Sequence, residues 1–329
     1  MNTPSHFRSL LAGEIERFLS HHRALGKRFD SEEHALRLLD RFLLEHGIKG
    51  FEQITAALLE TFLTSRPRTR ARSYNHLLNV LQRLFRWLVA QDVFPRSPVL
   101  ARTRRSTQHR APFLFEPAQV ERLLACAAKL ADGPHTRHRG ITYRMIFALM
   151  YGLGLRVSEV ARLCRKDLDL ERRCLHIRQT KFAKSRLVPF GPRMANALQS
   201  HLQSHDHHAR VAPDDPLFTV AKNGRRPIGS KSISRTFHQL LPALGLTVPP
   251  GVAPPRLHCL RHSFAVSTLL RWYRAGVDPG ARLMHLSVFL GHVNPASTAV
   301  YLTVTADLLE QANQRFESLA APILREVGR

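Results

Sequence analysis

The sequence predicts a mainly helical α+β chain in two domains, with one small antiparallel β element. Apolar residues recur at helical spacing in almost every segment between residues 7 and 98, and again beyond 115. Only the pair of short apolar runs 174–178 and 186–190 reads as strands, separated by a turn and so forming a hairpin. Between the two helical blocks, residues 96 to 114 lack periodicity and hold two Pro and five Arg. The expected division is therefore a helical N-terminal domain over 1–98, a basic linker over 99–114, and a larger domain with a helical C-terminal tail over 115–329. A chain of 329 residues is long enough for two such cores.

Taken in order, residues 7–25 set Leu10, Leu11, Ile15, Phe18 and Leu19 on one helical face, and 31–46 do the same with Leu38, Leu39, Phe42 and Leu43. Thr55 is placed to cap a third helix that carries Leu58, Leu59 and Phe62. A fourth helix has Leu77, Leu78, Leu81, Leu84, Phe85 and Leu88 as its apolar face, behind a basic entry of Arg66, Arg68, Arg70 and Arg72. Past the linker, Pro117 in a first turn starts a helix with Val120, Leu123 and Leu124. Residues 139–151 are apolar enough for a buried helix ending at Gly152. Helices are expected over 192–205, 258–275, 281–290 and 296–304. Residues 206–255 are rich in His, Pro and Gly and carry basic Lys222, Arg225, Arg226, Lys231 and Arg235. The tail 306–320 carries Leu308, Leu309, Ala312, Phe316 and Leu319 as a stripe, which would dock on its own domain or on a neighbouring copy.

Charge narrows the partner. Lys plus Arg number 49 against 25 Asp plus Glu, a formal excess of +24, which favours a polyanion and first of all nucleic acid. The plainer readings of that excess are a ribosomal-type binder or an Arg-rich codon bias. The four cysteines show no CxxC spacing and sit among apolar residues, so buried free thiols in a reducing cytoplasm are expected, with no metal. No run approaches a membrane span and the N-terminus has no signal-peptide core. The lone GxG of GLGLR lacks a GxGxxG context and predicts no dinucleotide. His201, His205, His207 and His208 read as a polar helix end rather than a metal site.

The chemistry concentrates in two stretches. Residues 256–304 bring His258 and Arg261, three apart and so on one helical face, then Leu-Gly-His with His292, then Tyr301. Upstream, YGLGLRVSEVARL places Arg156 after a glycine turn, and TKFAKSRLVPF puts Lys181, Lys184 and Arg186 on the hairpin. Guanidiniums, imidazoles and a phenol suit a phosphodiester: Arg clamps phosphate oxygens, His donates or carries protons, and Tyr can form a covalent intermediate. Apolar flanks around Arg156 and Arg261 imply buried guanidiniums, and a buried guanidinium demands an anion. Glu159 reads equally as a partner of Arg156 or a His, or as a surface Glu. His262 reads as a supporter of the fold.

Arg156, Lys181, His258, Arg261, His292 and Tyr301, in that order and within GLRVSE, TKxxKSRxVPF, HCLRHSF, FLGH and TAVYLTV, resemble the active-site set of the tyrosine recombinases, or phage integrase family. The resemblance covers residues 7 to 320. It implies the DNA breaking-rejoining enzyme fold, with residues 1–98 as a core-binding domain closing with the catalytic domain on duplex DNA. It implies Tyr301 as the nucleophile, Arg156 and Arg261 as the phosphate clamp, His258 and His292 as hydrogen-bonding or proton-transfer groups, and Lys181 rather than its neighbour Lys184 as the acid for the leaving 5′-oxygen. Arg66, Arg68, Arg70, Arg72, Lys184 and Arg186 are expected to touch DNA. No cofactor is implied, and the assembly is a homo-tetramer on two duplexes, alone or with a related recombinase. The looser segments 130–140 and 206–255 lean toward integration or transposition of a mobile element. Two rivals share much of this pattern: type IB topoisomerase-like strand relaxation, and a DNA-binding protein that keeps the fold without catalysis.

Overall fold

A computed structural model describes residues 7–65, 68, 70–105, 110–178, 185–205, 212–303 and 310. The chain separates into two compact units, 1–109 and 110–329, and the division lies inside the segment read above as a linker.

The first unit holds four helices: α1 (Ala12–Ala24), α2 (Asp30–Glu45), α3 (Ala56–Ser65) and α4 (Ala71–Ala90). The apolar face expected for α4 is buried in full, since Leu77, Leu78, Leu81, Leu84, Phe85 and Leu88 all sit in one core with Leu11, Ile15, Phe18, Leu39, Phe42 and Phe62. Thr55 Oγ1 accepts from the Leu58 N–H at 3.3 Å, as a helix cap should. The buried Asp40 carboxylate accepts from the N–H groups of Arg8 and Ser9 at 2.8–3.1 Å and ties the entry of α1 to α2.

The second unit runs α5 (Pro117–Ala128), α6 (Arg139–Gly152), α7 (Val157–Val160), β1 (Leu168–Asp169), β2 (Cys174–Ile177), β3 (Arg186–Pro189), α8 (Pro192–His205), α9 (Ser230–Leu240), α10 (Cys259–Arg274), α11 (Pro279–Leu290) and α12 (Ala296–Ala299), followed by a 3-10 turn over Val300–Thr303. Helix α6 is the hub. Tyr143, Met145, Ile146, Phe147, Leu149 and Met150 are all buried, as a predominantly apolar helix requires, while Arg144 reaches solvent. The sheet is antiparallel in the order β1-β2-β3, with Leu175 opposite both Leu168 and Val188, and Leu175 and Val188 reach no solvent. A second, smaller core joins α10, α11 and the final turn through Ala265, Val266, Leu269, Leu286, Leu290 and Tyr301.

Within residues 206–255 lies α9, whose stripe of Ile233, Phe237 and Leu240 packs into the core. Three expectations need correction. The hairpin gains a third, two-residue strand, β1. His201 is no polar helix end; it is 5% exposed and its ring lies 5.1 Å from that of Phe218. Of the four free cysteines only Cys259 is buried, while Cys126, Cys164 and Cys174 are half-buried. The tail over 306–320 lies outside the described residues except for Glu310. Among the described residues no group of His, Cys, Asp or Glu could hold a metal ion, and no helix is long and apolar enough to cross a membrane.

Candidate active site

Four chain segments of the second unit converge on one place. Arg156 opens α7, His258 and Arg261 open α10, His292 follows the end of α11, and Tyr301 stands on the final turn. Two glycines allow the approach. Gly154 has φ +61°, and a Cβ there would stand 2.6 Å from a ring carbon of Phe264 and 2.8 Å from Leu290. Gly291 ends α11 in the left-handed region at φ +67°, and a Cβ there would meet the Arg186 guanidinium at 2.7 Å. Each of these turns turns a carbonyl inward. Gly154 accepts from Arg261 Nη1 at 2.6 Å and Gly291 accepts from Arg156 Nη2 at 2.8 Å.

Arg261 is completely buried. Its Nη2 donates to the Leu290 carbonyl at 2.7 Å, and among the described residues its Nε has no hydrogen-bond partner and no carboxylate is bonded to it. Burial, then repulsion from Arg156, brings its guanidinium down to about 9. A cation held by two carbonyls with an N–H left over is a receptor for an anion.

Arg156, Glu159 and Arg186 form a second unit of the site. The Glu159 side chain is 1% exposed and receives Arg156 Nη1 at 2.7 Å, the Arg156 backbone N–H at 2.9 Å, and both terminal nitrogens of Arg186 at 2.9 Å. Burial alone would raise this carboxyl; Arg186 and Arg156 outweigh it and hold it at about 2. Arg186 Nε donates onward to the Phe289 carbonyl at 2.8 Å. Arg186, expected to touch DNA, has a side chain that is 8% exposed and a guanidinium bound to Glu159. Three guanidiniums face one carboxylate here, so the pocket keeps an excess of positive charge.

The three imidazoles are neutral near pH 7. Burial, followed by Arg261, lowers His262 to about 4, and burial, followed by Arg261, Arg156 and Arg186, lowers His292 to about 4. His258, whose ring keeps a solvent face, is lowered by the same causes, with His262 and Arg261 the first neighbours to act. His292 Nδ1 lies 2.7 Å from the fully buried Thr298 hydroxyl, which fixes its ring nearly parallel to that of Tyr301, 6.4 Å away. Tyr301 is 5% exposed, and its hydroxyl is 2.8 Å from His262 Nδ1. Burial raises its phenol above the usual value, while Arg261 and Arg156 oppose the rise.

Arg156, His258, Arg261, His292 and Tyr301 are thus brought together. Lys181, Lys184 and Arg66 lie outside the described residues. In the first unit Arg70 and Arg72 are exposed at the start of α4, whereas Arg68 is half-buried and its carbonyl accepts from Arg104 Nη1 at 3.1 Å. Two side chains gain importance over the sequence reading. Glu159 is the anchor of two guanidiniums, and His262 touches the phenol rather than only the fold. Its signal was available: it lies four residues past His258, on the same helix face.

The phage integrase family matches residues 114–307. The integrase/recombinase-type protein y4rB of Sinorhizobium fredii is 31% identical over 92% of this chain and 96% of its own length. Tyrosine recombinase XerA of Thermococcus kodakarensis is 30% identical over 74% of this chain and 75% of its own. Among solved structures, the Tn1549 transposon integrase in complex with transposon right-end DNA superposes with a TM-score of 0.64 at 18% identity, covering 94% of this chain and 98% of that one. A lambda integrase dimer bound to a core site gives 0.62 at 18% identity, over 88% and 76%. The mainly helical fold with its small antiparallel sheet is the fold of these integrases.

Proposed function

Since this chain belongs to the phage integrase family, the tyrosine-type site-specific recombinases, we propose that it cuts and rejoins duplex DNA through a covalent bond between Tyr301 and a 3′-phosphate. The observation that carries this reading is the buried, carbonyl-held Arg261 with its unpartnered Nε, beside Arg156 and a buried phenol. A scissile phosphodiester supplies the anion that the pocket lacks. Its non-bridging oxygens gain charge in the pentacoordinate transition state, and fixed guanidiniums stabilise that charge without reorganising. Tyr301 attacks phosphorus, and the 5′-oxygen leaves with a proton from Lys181. A 5′-hydroxyl from a partner strand then attacks the phosphotyrosine and frees Tyr301. The bond energy stays in the phosphotyrosine, so the cycle consumes no nucleotide. His258 and His292, neutral at rest, hydrogen-bond the phosphate.

Glu159 and Arg186 position the clamp. Arg186 reaches from β3 to Glu159 of α7 and to the end of α11, and so ties the strand, α7 and the turn bearing His292 together. The exposed Arg70 and Arg72 of the first unit contact phosphates, with Arg66 and Lys184 in the same role. Double-stranded DNA is the substrate, in the cytoplasm, with four protomers on two duplexes. Integration or transposition of a mobile element is the setting favoured by the likeness to y4rB and to a transposon integrase.

Strand transfer tests the reading against its rivals. A duplex selected from a randomised pool by retention on the protein is made in two lengths with different end labels. The expected product joins the two labels, in EDTA. Relaxation of supercoiled DNA without joined labels would indicate topoisomerase-like resealing of one strand. Retention without any broken strand would indicate a binding protein.

A further inference from the structure

The Tyr301 hydroxyl must lose a proton to become a nucleophile, and the proposed mechanism above leaves that proton unassigned. The phenol is buried, which disfavours a free phenolate, so a neighbouring acceptor is needed. His292 is the nearer guess from sequence order, yet its Nδ1 is engaged by the Thr298 hydroxyl and its ring lies parallel to the phenol rather than end-on. His258 meets His262, not the phenol: those two rings stand edge to face with centroids 4.6 Å apart. The atom against the Tyr301 oxygen is His262 Nδ1, at 2.8 Å.

We propose that His262 takes the Tyr301 proton during attack on the phosphate and returns it when the phosphotyrosine is resolved. The inference rests on the phosphotyrosine reading. With the ring hydrogen on Nε2, Nδ1 accepts the phenol O–H. As the oxygen's electron pair forms the bond to phosphorus, the O–H proton moves to Nδ1 and the ring becomes an imidazolium. The bond from phosphorus to the 5′-oxygen breaks, and that oxygen takes a separate proton from Lys181. In the return step the incoming 5′-hydroxyl gives a proton to Lys181, and His262 gives its proton back to the departing phenolate. Each step therefore conserves protons within the site.

The groups around His262 set its readiness. Arg261 precedes it on α10, and His258 lies one turn back on the same helix. Tyr301 faces it from the final turn, and His292, at the end of α11, is near enough to interact with it electrostatically. Burial first, and then Arg261, hold the ring neutral in the free protein, so its Nδ1 is open to accept the phenol proton. A phosphodiester between the guanidiniums adds negative charge, which favours the imidazolium at the moment it forms.

The test uses the full chain and a nicked form of the selected duplex, which traps the covalent product. His262→Asn keeps an oxygen acceptor near the position of Nδ1, and so keeps the hydrogen bond while removing the base. Single-turnover adduct formation is followed from acid to alkaline pH, with duplex retention as the check on folding. The expected result is a loss of about 10²–10⁴-fold near neutral pH. The variant's rate should keep climbing with pH where the wild type levels off, because hydroxide must replace the ring. An unchanged rate and profile in His262→Asn would reduce His262 to packing and overturn the proposal. Should the variant fail to retain DNA, ¹⁵N resonances of the wild-type ring decide instead. An unprotonated Nδ1 whose shift responds to Tyr301→Phe supports the assignment, and a protonated Nδ1 at neutral pH overturns it. No adduct from the wild-type protein would instead sink the phosphotyrosine reading itself.

Discussion

Tyr301→Phe is expected to abolish covalent capture of DNA while leaving duplex retention intact. The substitution removes one oxygen, and that oxygen is the proposed nucleophile, so the loss is complete rather than graded. The phenol is buried in the small core of α10 and α11, and the ring of Phe fills the same space. Binding persists because Arg156 and Arg261 are held by carbonyls and Glu159, not by the phenol. The fold pays a modest amount, since His262 Nδ1 loses its partner; about 1 kcal/mol is the scale for such a bond. Gel electrophoresis in denaturant after incubation on the nicked duplex reads the adduct. Retention measured in parallel at low salt separates binding from chemistry. Residual adduct in Tyr301→Phe would mean the nucleophile lies elsewhere.

Glu159→Ala is expected to act on stability and cleavage together. Arg186 is 8% exposed and Glu159 is the carboxylate that neutralises it. Removing one partner of a buried pair leaves the other charge uncompensated, at a cost of about 3–5 kcal/mol. Arg156 loses its Nη1 partner in the same stroke, so one arm of the clamp is released and cleavage falls well beyond the loss expected from stability. The pH dependence has a definite sign. The carboxyl of Glu159 is depressed in the folded chain from its ordinary 4.5 to about 2, so its contribution is fully present above about 4.5 and is lost as pH falls toward 2. The stability gap between wild type and Glu159→Ala should therefore be wide at pH 7 and close toward pH 2. Denaturant unfolding at several pH values checks this. A gap that does not change with pH would mean that packing, not charge, makes the difference.

The parts of this molecule that could be read from sequence are those whose cause is local. Helix α4 is legible because its apolar face repeats every three to four residues, and α6 because its second half, Met145–Met150, is an unbroken apolar run. His258 and Arg261 share a helix face by spacing alone. The glycine before Arg156 marks a turn that no other residue could make there, with φ +61° and Phe264 pressed against it. Three features have causes that are not local. Arg186 sits among basic residues of a hairpin, and nothing in its surroundings announces that Glu159, 27 positions earlier, turns it inward. Helix α9 carries its core residues Ile233, Phe237 and Leu240 between Ser, Lys, Arg and His, so composition hides the stripe that burial reveals. His262 follows His258 by one turn of α10, but nothing in its surroundings announces that the chain returns 39 positions later to set the Tyr301 hydroxyl against it.

The central claim is that Tyr301 becomes bonded to DNA, and mass spectrometry of the trapped complex tests it most directly. The wild-type protein is incubated with the nicked duplex in EDTA, the complex is digested with protease and nuclease, and the peptide bearing a nucleotide is sequenced. The account predicts a single modified peptide containing residues 296–303, with the 3′-phosphate on Tyr301. A nucleotide on Tyr74, Tyr143, Tyr151 or Tyr273, on a serine, or on no residue at all would contradict it.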